Sequence, residues 1–247
     1  MRRDAFLVRE LPGAGVSGML LRAHGWTQPC LTLGRSQELA EQQREQLARA
    51  GVEVARRPTG GGWLLHLPGD LALTLVRSSA LRAGELRGAA ALLSDAIASG
   101  FAASGIRATV APRSVSGGDR AQICFARTDR EEVHVGPTKV AGVAIARVGR
   151  AAVVQAAIPL VAVTEKLAAI ACRWDPLRGA AATVSGAADP LALRYAVIAQ
   201  LERRTGRSSR PWFWPSEWLQ RLQVVDLPAA AGPEQTAGAA DQGDEVQ

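Results

Sequence analysis

The stretch Arg56-Arg57-Pro58-Thr59-Gly60-Gly61-Gly62-Trp63-Leu64-Leu65-His66 decides the fold of this chain. Two cations stand before a run of glycines, and a histidine follows the run. Because glycine has no side chain, the backbone N–H groups of such a run can closely approach an anion or a carbonyl oxygen. The pattern is neither a Walker loop, which needs Gly-Lys-Ser/Thr, nor a dinucleotide fingerprint, which opens a helix. On its own it indicates either a glycine turn between strands or a cradle for a phosphate or a thioester oxyanion.

Strands are predicted on both sides of the glycine run. Val52–Arg57 precedes it and Trp63–His66 follows it, and the next turn, Leu-Pro-Gly-Asp, has hairpin spacing to a third strand over Leu71–Val76. Farther out, apolar spacing and the positions of Gly and Pro predict four helices and six more strands. The helices are Glu38–Ala50, Glu85–Ser104, Val161–Cys172 and Leu191–Arg204, and the strands are Leu31–Leu33, Arg107–Ala111, Ala121–Ala126, Glu131–Val135, Lys139–Arg147 and Ala151–Ile158.

The interleaving of these elements predicts one α+β domain over residues 1–227. Its later strands are short and separated by Gly, Pro or Asp, which favours an antiparallel meander. Residues 228–247 contain Ala, Gly, Pro, Gln and acidic residues with almost no apolar bulk, so they are predicted to form a disordered tail. The tryptophans just before this tail, at 212, 214 and 218, are predicted to cap the core.

The composition indicates an ordinary globular chain. Its 247 residues are 47% hydrophobic, enough to bury a core without disulfides or metals, and no metal site is expected. The net charge of +6 comes from arginines scattered along the chain, which does not favour a nucleic-acid partner. Neither a signal segment nor an apolar run long enough for a membrane is present, so we expect a cytoplasmic location. Lys139 and Lys166 are the only lysines, which hints that a site needs an ammonium.

Three motifs of the chain resemble one enzyme family. The Arg56–His66 block is similar to the Arg-Arg-x-Ser/Thr-Gly-Gly-x-x-x-x-His signature of lipoate ligases and octanoyltransferases. Upstream, Gly25-Trp26 with the Pro, Leu and Gln residues that follow resembles the strand and turn of that family, and downstream Lys139-Val140-Ala141-Gly142 resembles its lysine strand. The resemblance implies the lipoate and biotin protein ligase superfamily. It also implies its fold, a largely antiparallel mixed sheet packed with helices, like the catalytic domains of class II aminoacyl-tRNA synthetases and biotin ligases.

The resemblance also implies roles for particular residues. In this family the lysine that matches Lys139 binds the acyl carbonyl, where an ammonium favours the charge of the tetrahedral transition state. The residues that the motifs imply for substrate binding are Arg56, Arg57, Thr59, Gly60, Gly61, Gly62, His66, Gly142 and Ala144.

Cys124 distinguishes between branches of the family. Cys124-Phe125 precedes the lysine strand and resembles the Cys-Phe of the cysteine-dependent octanoyltransferases, in which the thiolate is the nucleophile. The alternative for Cys124 is a buried thiol that packs as a small hydrophobe. The other cysteines, Cys30 and Cys172, and the histidines His24 and His134 have no such setting and are predicted to be structural.

The predicted activity is therefore the transfer of an octanoyl or lipoyl group through Cys124 to a lipoyl-domain lysine. An acyl carrier protein or an acylated lipoyl-domain protein would be the donor, and the glycine cleavage H protein or a dehydrogenase E2 the acceptor, with no cofactor. One alternative is an ATP-dependent lipoate-protein ligase. Another is a non-catalytic acyl-binding paralogue, because Leu67 follows His66 where the family has Asp, and Gln155-Ala156-Ala157 replaces a His-Gly-Ser.

Overall fold

Nine strands and five helices make up the part of the chain that the computed structural model describes, residues 4, 6, 7, 10, 18–78, 84–111 and 131–209. All of these residues belong to one unit, Met1–Pro211. The strands are β1 (Gly18–His24), β2 (Cys30–Leu33), β3 (Glu53–Arg56), β4 (Leu64–His66), β5 (Leu71–Ser78), β6 (Thr109–Val110), β7 (Val133–Val135), β8 (Thr138–Val148) and β9 (Ala151–Ile158). The helices are α1 (Glu41–Arg49), α2 (Glu85–Ala103), α3 (Glu165–Trp174), α4 (Arg178–Ser185) and α5 (Pro190–Thr205).

The strands form two sheets. The larger has six antiparallel strands in the order β1-β5-β9-β8-β7-β6, and the smaller has the order β3-β2-β4, with β2 parallel to β3 and antiparallel to β4. The predicted antiparallel meander is confirmed for β7, β8 and β9. The predicted hairpin is wrong, because β4 and β5 lie in different sheets although the turn between them forms.

Alternation along the strands gives the larger sheet two different faces. Leu71, Leu73 and Leu75 point into the main core, where they join α2 and α5. Gly100 of α2 lets the two helices approach, since a Cβ there would lie 2.9 Å from the Leu193 Cδ1 atom of α5. The opposite face of the sheet carries the alternate residues Ala72 and Thr74, which line a cleft.

A second apolar core stabilises the smaller sheet. Leu31 and Leu33 of β2 and Leu65 of β4 pack with residues of α1 and α3. Trp63 meets Trp174 edge to face, with 4.9 Å between ring centroids. The glycine loop begins on the partly exposed strand β3 and ends on the fully buried strand β4, which holds its C-terminal end.

A β-bulge in β8 sets the direction of Lys139. Val133 pairs with Ala141, whereas His134 pairs with Lys139, so β8 contains one extra residue here. Val140 and Ala141 are both fully buried in the main core. The alternation therefore restarts after the bulge, and Lys139 lies on the same face of the sheet as Gly142, three residues away.

Candidate functional site

A cleft of about 360 Å³, a volume that includes its open mouth, lies on the face of the larger sheet opposite α2 and α5. Its floor consists mostly of small residues that are cross-strand neighbours on β5, β9 and β8. They are Ala72, Ala157, Gly142 and Ala144, with Thr74 and Gln155 beside them, and the main-core residue Ala156 also contributes to the lining. The remaining lining residues are His24, Thr32, Arg57, Leu64 and His66. An apolar floor with a polar margin suits an aliphatic chain that ends in a polar group.

Arg57 holds the glycine loop in place. Its side chain is buried and donates hydrogen bonds to the backbone carbonyls of Thr32 (3.1 Å), Gly60 (2.8 Å) and Gly62 (2.5 Å). Arg56 is exposed and donates in the same way to the carbonyls of Gly34 (3.2 Å), of Arg35 (2.9 Å) and of Gln37. Arg57 thus stabilises the glycine loop and Arg56 stabilises the turn after β2, both through carbonyl oxygens.

Gly34 and Gly61 touch backbone to backbone. A Cβ atom on Gly34 would lie 2.0 Å from the Gly61 carbonyl oxygen, so only glycine fits there. Gly61 has a φ of +91°, a conformation that glycine adopts without strain. The turn after β2 and the glycine loop are therefore packed together.

His66 is fixed by two neighbours. Its ring stacks on Trp26 with 4.2 Å between centroids and an interplanar angle of 20°. Its Nε2 atom lies 2.9 Å from the Thr32 hydroxyl oxygen. Burial and the nearby charge of Arg57 hold the pKa of His66 well below 6.5. The imidazole is therefore neutral at neutral pH and forms its hydrogen bond with Thr32 uncharged.

A buried ionic cluster supports the strand that carries His66. The Arg178 guanidinium forms an ion pair with Asp70 (2.5 Å) and donates to the Leu65 carbonyl (3.2 Å). Asp70 accepts from the Leu67 amide (2.8 Å), and Asp175 accepts from the Leu65 amide (3.3 Å). Leu65 and Leu67, the neighbours of His66 in the chain, are thereby held through their backbone groups by two carboxylates and one guanidinium.

A hydrogen-bonded chain joins the glycine loop to the N-terminal segment. The Thr59 hydroxyl donates to Gln155 Oε1 (2.8 Å), and Gln155 Nε2 donates to Asp4 (3.0 Å). Asp4 is fully buried and forms an ion pair with Arg22 (2.5 Å). Burial raises the pKa of Asp4, but the charges of Arg22 and His24 outweigh it, and the net pKa lies below the usual value.

Lys139 forms a buried ion pair. Its Nζ atom lies 2.5 Å from an oxygen of Glu132, and both side chains are nearly inaccessible to solvent. Gly142 and Ala144 of the same strand line the cleft, and Lys139 is not among its lining residues. Cys124 lies outside the described residues. Burial raises the pKa of the Cys30 thiol to about 12, and the Cys172 thiol is exposed and free.

A model of the lipoyl protein ligase A/B catalytic domain matches residues 1–191. The chain belongs to this family. The lipoate and biotin ligase resemblance noted in the sequence is thus confirmed, and so is the α+β fold class. No curated protein matches the sequence.

Solved structures of lipoate ligases share this fold. A crystal structure of lipoate-protein ligase A bound with ATP is 20% identical, covers 90% of this chain and 86% of that one, and gives a TM-score of 0.69. A putative lipoate protein ligase from T. acidophilum with bound lipoic acid is 19% identical, covers 90% of this chain and 88% of that one, and gives a TM-score of 0.66. A bipartite lipoate protein ligase from Thermoplasma acidophilum, described with its E2 lipoyl domain, is 19% identical. It covers 90% of this chain and 86% of that one, and gives a TM-score of 0.61. At these identities the likeness concerns the fold.

Several residues at or near the cleft escape the sequence motifs. His24 lines the cleft, although it was predicted only as a structural residue. Asp4, Arg22 and Thr74 belong to no motif, and Gln155 stands where the family has a different triplet. The useful signal was the alternation along β5 and β9, which assigns Thr74 and Gln155 to one face.

Among the described residues, no cluster of three or more metal-binding side chains occurs and no helix is long and apolar enough to cross a membrane.

Proposed function

We propose that this lipoyl protein ligase family member transfers an octanoyl or lipoyl group from a carrier-protein thioester to a lysine of a lipoyl domain. The observation that carries the proposal is the cleft floor of alanines and a glycine, with Arg57 and His66 at its margin. Small side chains leave room for an unbranched chain of methylene groups, whose burial is favourable. The polar margin around His66 and Arg57 would then lie near the reacting carbonyl.

The proposed reaction has two steps, with roles taken from the family resemblance. The Cys124 thiolate attacks the thioester carbonyl, a new C–S bond forms, the C–S bond to the carrier breaks, and the carrier thiolate takes up the proton that Cys124 released. The acceptor lysine amine then attacks the acyl-enzyme, the amide bond forms, and Cys124 is released as a thiol. Lys139 would stabilise the oxyanion in both steps.

The charges of the cleft favour a thioester donor over ATP. Arg57 is the one Arg or Lys side chain that lines the cleft among the described residues, and it donates to three backbone carbonyls. Lys139 is paired with Glu132. A triphosphate would bring several negative charges to these compensated cations, whereas a neutral thioester develops a single negative charge, on the carbonyl oxygen of the transition state. The proposed transferase therefore needs no cofactor.

Mass spectrometry after incubation with octanoyl carrier protein tests the mechanism. We expect one octanoyl group on Cys124, none on a Cys124→Ser variant, and loss of transfer to a lipoyl domain in that variant. Cys172→Ser is the matched control, because it removes an exposed thiol from α3 and should leave transfer unchanged. Full transfer by Cys124→Ser would refute the acyl-enzyme.

Two further assays separate the alternatives. Lipoate-dependent release of pyrophosphate from ATP, with no acylation from the carrier, would identify an ATP-dependent ligase instead. Failure of both reactions, with octanoate still bound in calorimetry, would identify a non-catalytic acyl-binding protein. The acceptor we propose for the transfer assay is the glycine cleavage H protein or a dehydrogenase E2 lipoyl domain.

A further inference from the structure

The Thr74 hydroxyl is a polar group without a partner on the floor of the cleft. Thr74 is 1% exposed, and its Oγ1 atom has no hydrogen-bond partner among the described residues. The side chain lies on the cleft face of β5 and lines the cleft. A buried hydroxyl without a partner destabilises the folded protein, and valine would fill the same space without that cost.

The polar residues around Thr74 are already paired with one another. Thr74 lies between Arg22 of β1 and Gln155 of β9 in the sheet. Arg22 pairs with Asp4, and the Gln155 amide bonds to Asp4 and to Thr59. The network thus closes without the Thr74 hydroxyl, which leaves a donor facing the space that the acyl chain would occupy.

We propose that Thr74 determines acyl specificity by donating a hydrogen bond to a heteroatom in the buried part of the acyl chain. The inference rests on the proposed function, because it takes the cleft to be the acyl site. A plain octanoyl chain carries no acceptor beyond its carbonyl, whereas the dithiolane ring of a lipoyl group offers sulfur lone pairs. Thr74 therefore favours a heteroatom-bearing chain over an all-carbon chain of the same shape.

Calorimetric titration with two matched acids tests this role. Lipoic acid and 5-cyclopentylpentanoic acid have similar shape and differ in the ring sulfurs. We expect the wild-type protein to bind lipoic acid about threefold more tightly or better, the low end of a net hydrogen-bond effect. In Thr74→Val the two acids should bind with about equal affinity, because the hydrogen-bond donor is gone. Thr74→Ser keeps a hydroxyl and should retain the preference for lipoic acid.

Thermal unfolding of the Val variant gives an independent readout. If the hydroxyl lacks a protein partner, Thr74→Val unfolds at the same temperature as the wild type or higher. A lower unfolding temperature would show that the protein itself uses the hydroxyl, and would overturn the inference.

The outcomes also separate this inference from the proposed function. If both acids bind and Thr74→Val leaves their affinity ratio unchanged, Thr74 does not determine specificity, while the acyl site stands. If the wild type binds neither acid, the acyl site is refuted and the role of Thr74 with it.

Discussion

The Thr59 hydroxyl donates a 2.8 Å hydrogen bond to Gln155 Oε1, although the two residues are 96 positions apart in the chain. Both groups are buried, so the bond ties the glycine loop to the floor of the cleft. Thr59→Val removes a donor to a buried amide oxygen, which costs about 1–3 kcal/mol. We expect urea unfolding to report that loss. Thr183→Val, which removes an exposed hydroxyl on α4, should change stability by less than about 0.5 kcal/mol.

The contact between Gly34 and Gly61 gives a sharper prediction about the loop. A Cβ on Gly34 would meet the Gly61 carbonyl oxygen at 2.0 Å, so Gly34→Ala must displace backbone. We expect it to lower the unfolding temperature and to weaken acyl binding, because the loop is hydrogen-bonded to two residues that line the cleft, Arg57 and Gln155. Gly88→Ala is the matched control, since Gly88 is exposed on α2, away from the cleft, and a Cβ there meets nothing within 4 Å. Equal stability and affinity of the two variants would contradict the packing described.

Local patterns predicted the elements whose residues face one core. Helix α2 was predictable because Leu93, Ile97 and Phe101 recur at helical spacing and are buried together. Strand β1 was not predicted, because all its residues but one are half-buried and give no alternation. Helix α4 was not predicted either, since Arg-Gly-Ala-Ala-Ala-Thr-Val-Ser shows little apolar periodicity. The hairpin between β4 and β5 failed because turn chemistry reports a change of direction and says nothing about which sheet each strand joins.

The candidate site was predictable only where its residues are contiguous. The glycine loop and the lysine strand form continuous motifs, so their residues could be named from the sequence. The hydrogen bond between Gln155 and Asp4 joins residues 151 positions apart, and no local pattern encodes such a contact. The bulge at Val140 is also invisible to periodicity, although it decides which face of the sheet Lys139 occupies. Cys124 stays a prediction, because it lies outside the described residues.

The buried ion pair of Arg178 with Asp70 should be far more sensitive to mutation than a surface pair. Arg178→Met leaves Asp70 charged and buried, and breaking such a pair costs about 3–5 kcal/mol. Arg49→Met removes the partner of Glu45 on the exposed face of α1 and should cost less than about 1 kcal/mol. Denaturant titration of both variants measures the difference. If Arg178→Met were as stable as Arg49→Met, the cluster would not support the strand of His66.

Asp175 should make stability fall as pH rises. Burial is the largest influence on this carboxyl group and raises its pKa from 3.8 to about 7, against the Leu65 amide and the charges of Arg178 and Lys139. The folded protein therefore binds a proton that the unfolded chain has released. The stabilisation of the folded protein by this proton is complete below pH 3.8 and is lost as pH approaches 7. Between these values the free energy of unfolding falls by about 1 kcal/mol per pH unit.

Comparison with Asp175→Asn isolates this effect. His66 acts in the opposite sense, because its lowered pKa makes stability fall as pH drops below 6.5, but it is present in both proteins and cancels in their difference. Asparagine keeps an oxygen that can accept from the Leu65 amide and carries no charge. We expect the variant to gain stability relative to the wild type between pH 5 and pH 8, as measured by urea unfolding at each pH. A difference in unfolding free energy that did not change with pH would mean that Asp175 is ionised throughout, with a normal pKa.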